Sequence, residues 1–258
     1  MLRFIAIVLT CLFCACAWGA GAPVVVFDNA SPPTMYEGKD GRAAGIYPAI
    51  VRRAFERMGV PVDIAAEPFR RMMADLQKGT SGAGALIRTE EREAYGDYSA
   101  PFFTEELALY GQSARKLRFG TFADLAGRKI GVIRGWAYGK DFDEARAAGL
   151  FEAEEVESDD QNFEKLKLGR LDLIVATRLA GEILAADRRY AGIAAIEFPR
   201  NANTIHLVFN KKQGCADLLK RFDAAIRDMQ TDGEIEAIVQ AELTRATGYM
   251  GLRSGRTR

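Results

Sequence analysis

The 258-residue sequence predicts an α/β fold made of two similar units, each a mostly parallel sheet flanked by helices. Three observations carry that expectation. From Pro23 to Ala65 the chain reads as strand, proline-containing loop, amphipathic helix, glycine and strand. That is a β-α-β crossover, which requires parallel strands with helices on their faces. A helix–glycine–strand pattern then occurs once in each half, at Phe69–Ile87 and at Ser158–Ala176. Between them, after Gln112, the chain resets into a new turn, strand and glycine loop.

Taken in order, Met1–Ala22 stands apart from the fold. Arg3 supplies a positive start, Phe4–Ala15 is apolar apart from Thr10, and small residues follow. This is the pattern of a secretory signal peptide, too short to span a bilayer as a helix. Cleavage after Ala17 or Gly19 fits, giving a signal over residues 1–19; a lipid-anchored alternative would use Cys16, behind the less suitable Phe13. Of the 4 cysteines, Cys11, Cys14 and Cys16 lie in this leader, so Cys215 stands alone after it and no disulfide framework is expected.

Composition narrows the function classes. Lysine plus arginine, 35, equals aspartate plus glutamate, 35, so no net field would draw the chain to nucleic acid or an anionic membrane. The single histidine, His206, alternates with apolar neighbours and reads as a sheet residue. No metal site, cofactor or histidine-based catalytic centre is expected.

Pro23–Asp28 is expected as a buried, central, parallel strand. Pro32 and Pro33 bar helix and ladder from the loop that follows, and Glu37–Gly41 reads as a turn. Apolar spacing predicts a helix over Ile46–Met58, stopped by Gly59, and Val62–Ala65 is the next strand. Phe69, Met72, Met73 and Leu76 fall at i, i+3, i+4 and i+7, a second helix running to Lys78 and capped by Gly79. Ala83–Ile87 is long enough for one buried strand, and Thr89 is placed to cap a helix whose first turn holds Arg92. Further strands are expected at Leu107–Gln112, Lys129–Ile133, Leu171–Ala176, Ala194–Phe198 and Thr204–Asn210. Gly135 opens a loop where backbone could approach a ligand closely. Ser158–Gln161 reads as a capping box. Leu218–Met229 and Glu234–Leu243 are amphipathic helices, and Tyr249–Arg258 is a basic tail expected to fray.

By spacing alone Arg92 reads first as a surface arginine. Its other reading is an arginine at the carboxyl end of a strand, beside helix-start amides, where a small carboxylate could take a bidentate contact. The wider motif bears on this choice. The helix, Gly79, the short strand and Arg88-Thr-Glu-Glu-Arg-Glu93, followed by Tyr98-Ser-Ala-Pro-Phe-Phe103, resemble the first-lobe signature of the family 3 bacterial extracellular solute-binding proteins. Phe122–Gly139 resembles the start of that family's second lobe, and the resemblance covers nearly all of the chain after the first two dozen residues.

The resemblance implies a two-lobed, periplasmic-binding-protein-like type II fold with the ligand in the interlobe cleft. Residues 23–111 plus 204–248 would form the first lobe and residues 113–198 the second. The chain would cross near Gly111–Ser113 and near Phe198–Asn203, and hinge closure would desolvate the ligand. Arg92 would clamp a carboxylate. Asp28 matches the position that meets the ligand ammonium in amino-acid binders, a cap or turn role being its plain alternative. Tyr36 matches the aromatic after the proline pair, while Ser31 stands where that family commonly has another aromatic. Phe69 and Trp136 would line the walls. Ala85 and Ile87 would edge the site, although the stretch around them is about one residue shorter than the family pattern, which leaves their roles open by a position. Trp136, Ala137 and Tyr138 fall where amides and hydroxyls are presented at a helix start. Arg134 either adds a second positive group to the cleft or pairs with a carboxylate. Thr177 stands where receptors for α-amino acids commonly carry an aspartate, a departure that weakens the case for a standard α-amino acid.

The function implied is a monomeric periplasmic receptor that captures a small polar, carboxylate-bearing, amino-acid-like solute and delivers it to the permease of an ABC importer. Two alternatives remain open: a periplasmic sensor whose closed form is read by a membrane partner, and a dehydratase-type enzyme on the same scaffold, for which Asp28 is the one cleft acid the sequence places.

Overall fold

The computed structural model describes residues 21–254. The expected signal over residues 1–19 and Cys16 lie outside the described residues. The chain begins with β1 (Val24–Asp28), then a three-stranded antiparallel sheet of β2 (Ala30–Ser31), β3 (Met35–Glu37) and β4 (Ala43–Ala44). That small sheet occupies the segment expected as loop and turn, with Pro32 and Pro33 in the bend between β2 and β3. Next come α1 (Ile46–Met58), β5 (Asp63–Glu67), α2 (Phe69–Lys78), β6 (Gly82–Leu86), the single-turn α3 (Glu90–Glu93), β7 (Gly96–Tyr98) and β8 (Phe103–Gln112). The chain continues through β9 (Lys129–Ile133), α4 (Lys140–Ala147), β10 (Glu152–Val156), α5 (Asp159–Lys167), β11 (Leu173–Thr177), α6 (Arg178–Ala186) and β12 (Ile193–Asn210). It closes with α7 (Ala216–Thr231) and α8 (Glu234–Ser254).

The strands lie in the order β10-β9-β11-β8-β12-β6-β1-β5, with β7 also on β12. The order is nearly symmetric about its middle. On one side β5, β1 and β6 are parallel and β12 runs antiparallel to β6. On the other, β10, β9 and β11 are parallel and β8 runs antiparallel to β11. β8 and β12 pair along their lengths and so connect two lobes of like construction. β12 is one strand where two were expected. Its register moves from Ile196 opposite Leu109 to Asn201 opposite Leu107, so extra residues on β12 bulge at the crossing. A bulge bends and twists its strand, which lets one strand serve two sheets.

The helices end where glycine allows it. Gly59 and Gly79 take left-handed conformations at φ 64° and 78°, closing α1 and α2. α1, α7 and α8 pack together on the first lobe, with the rings of Phe55 and Phe222 6.0 Å apart. α8 runs on to Ser254, so helix replaces much of the expected frayed tail. β6 alternates its small residues for a packing reason: a Cβ on Gly84 would overlap the buried ring of Phe27 on neighbouring β1. Gly84→Ala is therefore expected to cost about 1–3 kcal/mol and to lower the melting temperature by roughly 2–10 °C. An unchanged thermal unfolding midpoint would show that Phe27 can retreat without cost.

Candidate functional site

Arg92 is placed by α3. Thr89 caps this helix as the sequence predicts, its hydroxyl accepting the Arg92 N–H at 3.3 Å. One helical turn sums few peptide dipoles, so the guanidinium, not the helix end, is the positive element here. Its side chain turns inward and the residue is only 7 % exposed. Nη1 donates to the Ile87 carbonyl at 3.3 Å and Nη2 to the Gly135 carbonyl at 3.5 Å, and the Phe69 ring centre lies 5.7 Å from Cζ. Burial is the main influence on its proton affinity and lowers it. Among the described residues no carboxylate forms an ion pair with Arg92, and the charges of Glu91 and Asp143 act on it only from further off. A buried cation without a counter-charge is costly, and a carboxylate with two oxygens is its natural complement.

The cavity beside Arg92 is lined by Phe69, Ala85, Ile87, Trp136 and Ala137, with Glu105 at its edge. It measures about 30 Å³, room for a water molecule or two. The walls of the two lobes are close together here. Gly135 makes the approach possible: its φ is 77°, and a Cβ there would press on the Phe69 ring at 3.3 Å. The next residue, Trp136, tilts its ring against Phe69 with centroids 6.3 Å apart.

Trp136 also reaches across the cleft. Its Nε1 donates to Asp28 Oδ2 at 3.0 Å, tying the loop after β9 to the end of β1. The other oxygen of Asp28 accepts the Asn29 amide at 2.7 Å. Burial raises the Asp28 pKa from 3.8 to about 6, and the Trp136 bond is the largest influence pulling it back down.

Two further carboxylates join it. Glu105, on β8, accepts the Tyr47 hydroxyl at 2.5 Å, and burial raises its pKa to about 7. Its side chain keeps some surface open to the cavity, while its carboxyl lies deep in the protein. Asp159 is the first residue of α5 and is 3 % exposed. Neither of its carboxylate oxygens has a hydrogen-bond partner. Burial raises its pKa to about 7, and the charges of Asp28, Glu105 and Asp160 push the same way. The amide end of α5 favours the ionised form, and burial outweighs it. A second, larger cavity of about 470 Å³ opens beside Asp159, with Asn29, Tyr36 and Glu37 on one lobe and Ser158 and Gln161 on the other.

The sequence-predicted residues therefore divide. Phe69, Ala85, Ile87, Arg92, Trp136 and Ala137 meet at one cavity, Asp28 joins them through Trp136, and Tyr36 lines the second cavity. Arg134, Tyr138 and Thr177 line neither. Arg134 pairs with Glu155 at 3.3 Å and with Glu157, the second of its two expected roles. Tyr138 is buried against Phe142 and its hydroxyl accepts the Ile133 amide at 2.6 Å. Thr177 caps α6, accepting the Ala180 amide at 3.3 Å. Trp136 to Tyr138 sit in the turn ahead of α4, which starts only at Lys140, so no helix end presents their amides. His206 is a sheet residue with Nδ1 2.8 Å from the Ser99 carbonyl oxygen. Among the described residues no group of three or more His, Cys, Asp or Glu is arranged to hold a metal.

Glu105 and Asp159 were not legible. The expected strand began at Leu107, leaving Glu105 in loop, whereas β8 begins at Phe103. Asp159 read as an ordinary first-turn acid in a capping box. Ser158 does cap α5, but the Gln161 side chain accepts from the Glu157 amide, one residue before the position a capping box requires.

Comparison with known proteins places this geometry. The model for bacterial extracellular solute-binding proteins, family 3, matches residues 24–243. The L-cystine-binding protein TcyJ of Escherichia coli strain K12 is 24% identical over 221 residues, 84% of this chain and 81% of that protein. Among solved structures, a histidine kinase sensor domain with similarity to periplasmic binding proteins has a TM-score of 0.74 at 21% identity, covering 86% of this chain and 96% of that one. The amino acid ABC transporter substrate-binding protein AbpA from Streptococcus pneumoniae, bound to L-arginine, has a TM-score of 0.73 at 18% identity, covering 88% of this chain and 96% of that one. The fold is thus the two-lobed, periplasmic-binding-protein-like type II fold.

The burial of Asp159 has a consequence for stability. Its folded pKa, about 7, lies above its ordinary 3.8, so the folded state holds the proton more tightly. Stability then falls as pH rises through this window, and the cost is fully present above pH 7. Asp159→Asn is expected to raise the melting temperature of the ligand-free protein by several degrees at pH 8, at roughly 2–4 °C per kcal/mol, and to give little change at pH 4. An equal difference at both pH values would show that the effect is not the buried charge.

Proposed function

This chain belongs to family 3 of the bacterial extracellular solute-binding proteins, and on that footing we propose that it is a periplasmic receptor for a small, amino-acid-like, carboxylate-bearing solute. It captures the solute by closing two lobes over it and hands it to the permease of an ABC importer, acting as a monomer without a cofactor. The observation that carries the proposal is Arg92, a guanidinium almost wholly buried at the junction of the lobes and, among the described residues, in no ion pair.

The chemistry follows from the lining. A solute carboxylate supplies the two oxygens that Arg92 lacks, and the Phe69 and Trp136 rings exclude water from that contact, strengthening it. Closure brings Gly135 and Trp136 of one lobe against Phe69, Arg92 and Asp28 of the other, so the ligand is desolvated as the lobes meet. The names of two relatives support the same class of ligand: one binds L-cystine and the other was solved with L-arginine, both carboxylate-bearing amino acids. The secretory leader expected at the start of the sequence agrees with a periplasmic site of action. Among the described residues no helix is long and apolar enough to cross a membrane.

A thermal-shift panel of amino acids, amines and dicarboxylates on the purified protein tests this. A solute present at 100 times its Kd raises stability by about 2.7 kcal/mol, a readily measured shift. At least one carboxylate-bearing compound is expected to stabilise the wild type. Arg92→Ala is expected to weaken its binding by roughly 30-fold or more, because truncating one partner of a buried charge pair is costly. Stabilisation that survives Arg92→Ala would overturn Arg92 as the anchor.

A further inference from the structure

An α-amino acid that gives its carboxylate to Arg92 carries an ammonium on the neighbouring carbon, and that ammonium needs an acceptor in the same dry space. Asp28 joins the cavity residues through Trp136, and its acceptor capacity is already taken up. Its Oδ2 accepts Trp136 Nε1 at 3.0 Å and its other oxygen the Asn29 amide at 2.7 Å, and the amides of Phe69 and Ala30 also draw on it. An ionised carboxylate offers roughly four acceptor sites, so these donors occupy it. Both partners of the Trp136 bond are buried. Glu105, the acid in the cavity lining, accepts the Tyr47 hydroxyl at 2.5 Å, and burial keeps it protonated below about 7. A protonated carboxyl has a hydrogen to donate, which suits an oxygen rather than an ammonium. Apart from Arg92, Tyr47 and Glu105, the lining side chains are those of alanine, methionine, leucine, isoleucine, phenylalanine and tryptophan.

Resting on the receptor reading above, we infer that Trp136 fills the place of a ligand ammonium at Asp28, and that the solute held by Arg92 is a carboxylate with no α-amine, the 2-hydroxy or 2-oxo counterpart of an amino acid. The indole N–H already bridges one lobe to Asp28 on the other, so closure needs no ammonium to do so. A ligand α-ammonium would have to displace that bond or stay buried without a partner, beside a guanidinium of like charge. A hydroxyl or carbonyl oxygen on the same carbon carries no such cost, and a protonated Glu105 can donate to it. Trp136 thus determines specificity through its hydrogen bond, in addition to packing its ring on Phe69 at 6.3 Å.

The test is calorimetric titration midway between the pKa values of Asp28 and Glu105, with two matched series of probes. One series is L-alanine, L-lactate and pyruvate; the other is L-leucine, L-2-hydroxy-4-methylpentanoate and 4-methyl-2-oxopentanoate. In a series that binds, the hydroxy or oxo acid is expected to bind at least about tenfold more tightly than the amino acid. Trp136→Phe keeps a ring against Phe69 but lacks the N–H, and by freeing Asp28 Oδ2 it is expected to shrink that ratio by about tenfold. A purely structural role for Trp136 would weaken every member alike and leave the ratio unchanged, which would overturn the inference. An amino acid that binds the wild type as tightly as its oxygen counterparts would also overturn it, because the indole bond then yields to the ligand; the receptor reading would stand. If neither series binds, the thermal-shift panel decides. Stabilisation by dicarboxylates and by no amino acid supports the inference, and stabilisation by any amino acid overturns it. A panel in which no carboxylate stabilises the protein overturns the receptor reading as well.

Discussion

The burial of Arg92 with no ion pair among the described residues is the constraint around which the cleft is organised. A guanidinium removed from water loses hydration that two backbone carbonyls at 3.3 and 3.5 Å restore only in part. Folding tolerates this because Arg92 sits on a short, well-capped turn between β6 and β7, in a lobe whose core is otherwise dense and apolar. In the proposed receptor the deficit is met from outside: a ligand carboxylate would supply the missing partner, and the energy of forming that pair would help bring the lobes together. Asp159 presents the opposite deficit across the junction, a carboxylate with no donor.

The crossing strands explain how two lobes can meet around such a site. β8 and β12 pair on both sides of a bulge between Ile196 and Asn201, which concentrates the bend in one place. Among the described residues, contacts across the cleft include the Trp136–Asp28 hydrogen bond, the Arg92–Gly135 contact and the Phe69–Trp136 ring pair. Each is a polar or aromatic contact of modest net strength in water. In the proposed receptor an interface of this kind would close and reopen readily. Trp136 has a double role in it, since its indole N–H occupies the oxygen of Asp28 that a ligand ammonium would otherwise approach.

Much of this was legible in the sequence because it rests on local rules. The spacing of apolar residues gave α1 and α2 their observed bounds, and glycines closed both helices. Thr89 announced the turn that carries Arg92. The two-lobed symmetry showed in the repeated helix–glycine–strand units. What escaped was non-local. The sequence left Arg134 open between a cleft cation and a carboxylate pair, and the choice is made by β10, which lies parallel beside β9 and offers it Glu155 and Glu157. Tyr138 and Thr177 were taken inward by a backbone amide and a helix cap, uses that no spacing reveals. Glu105 and Asp159 matter only because the fold brings β8 and the start of α5 to the same acidic cluster as β1, residues far apart in the chain. Between 196 and 201 the continuity of β12 likewise depends on its partner strand rather than on its own composition.

The account stands or falls on the state of the cleft carboxylates in the free protein. Carbon-13 NMR of the side-chain carboxyls, followed from pH 3 to 9 in the ligand-free protein, reads them one by one. Asp28 is predicted to titrate near pH 6, and Glu105 and Asp159 near pH 7, well apart from the exposed acids. If every carboxyl of the protein titrates below pH 5, the cleft acids are not buried as described, and this account of the cleft is contradicted.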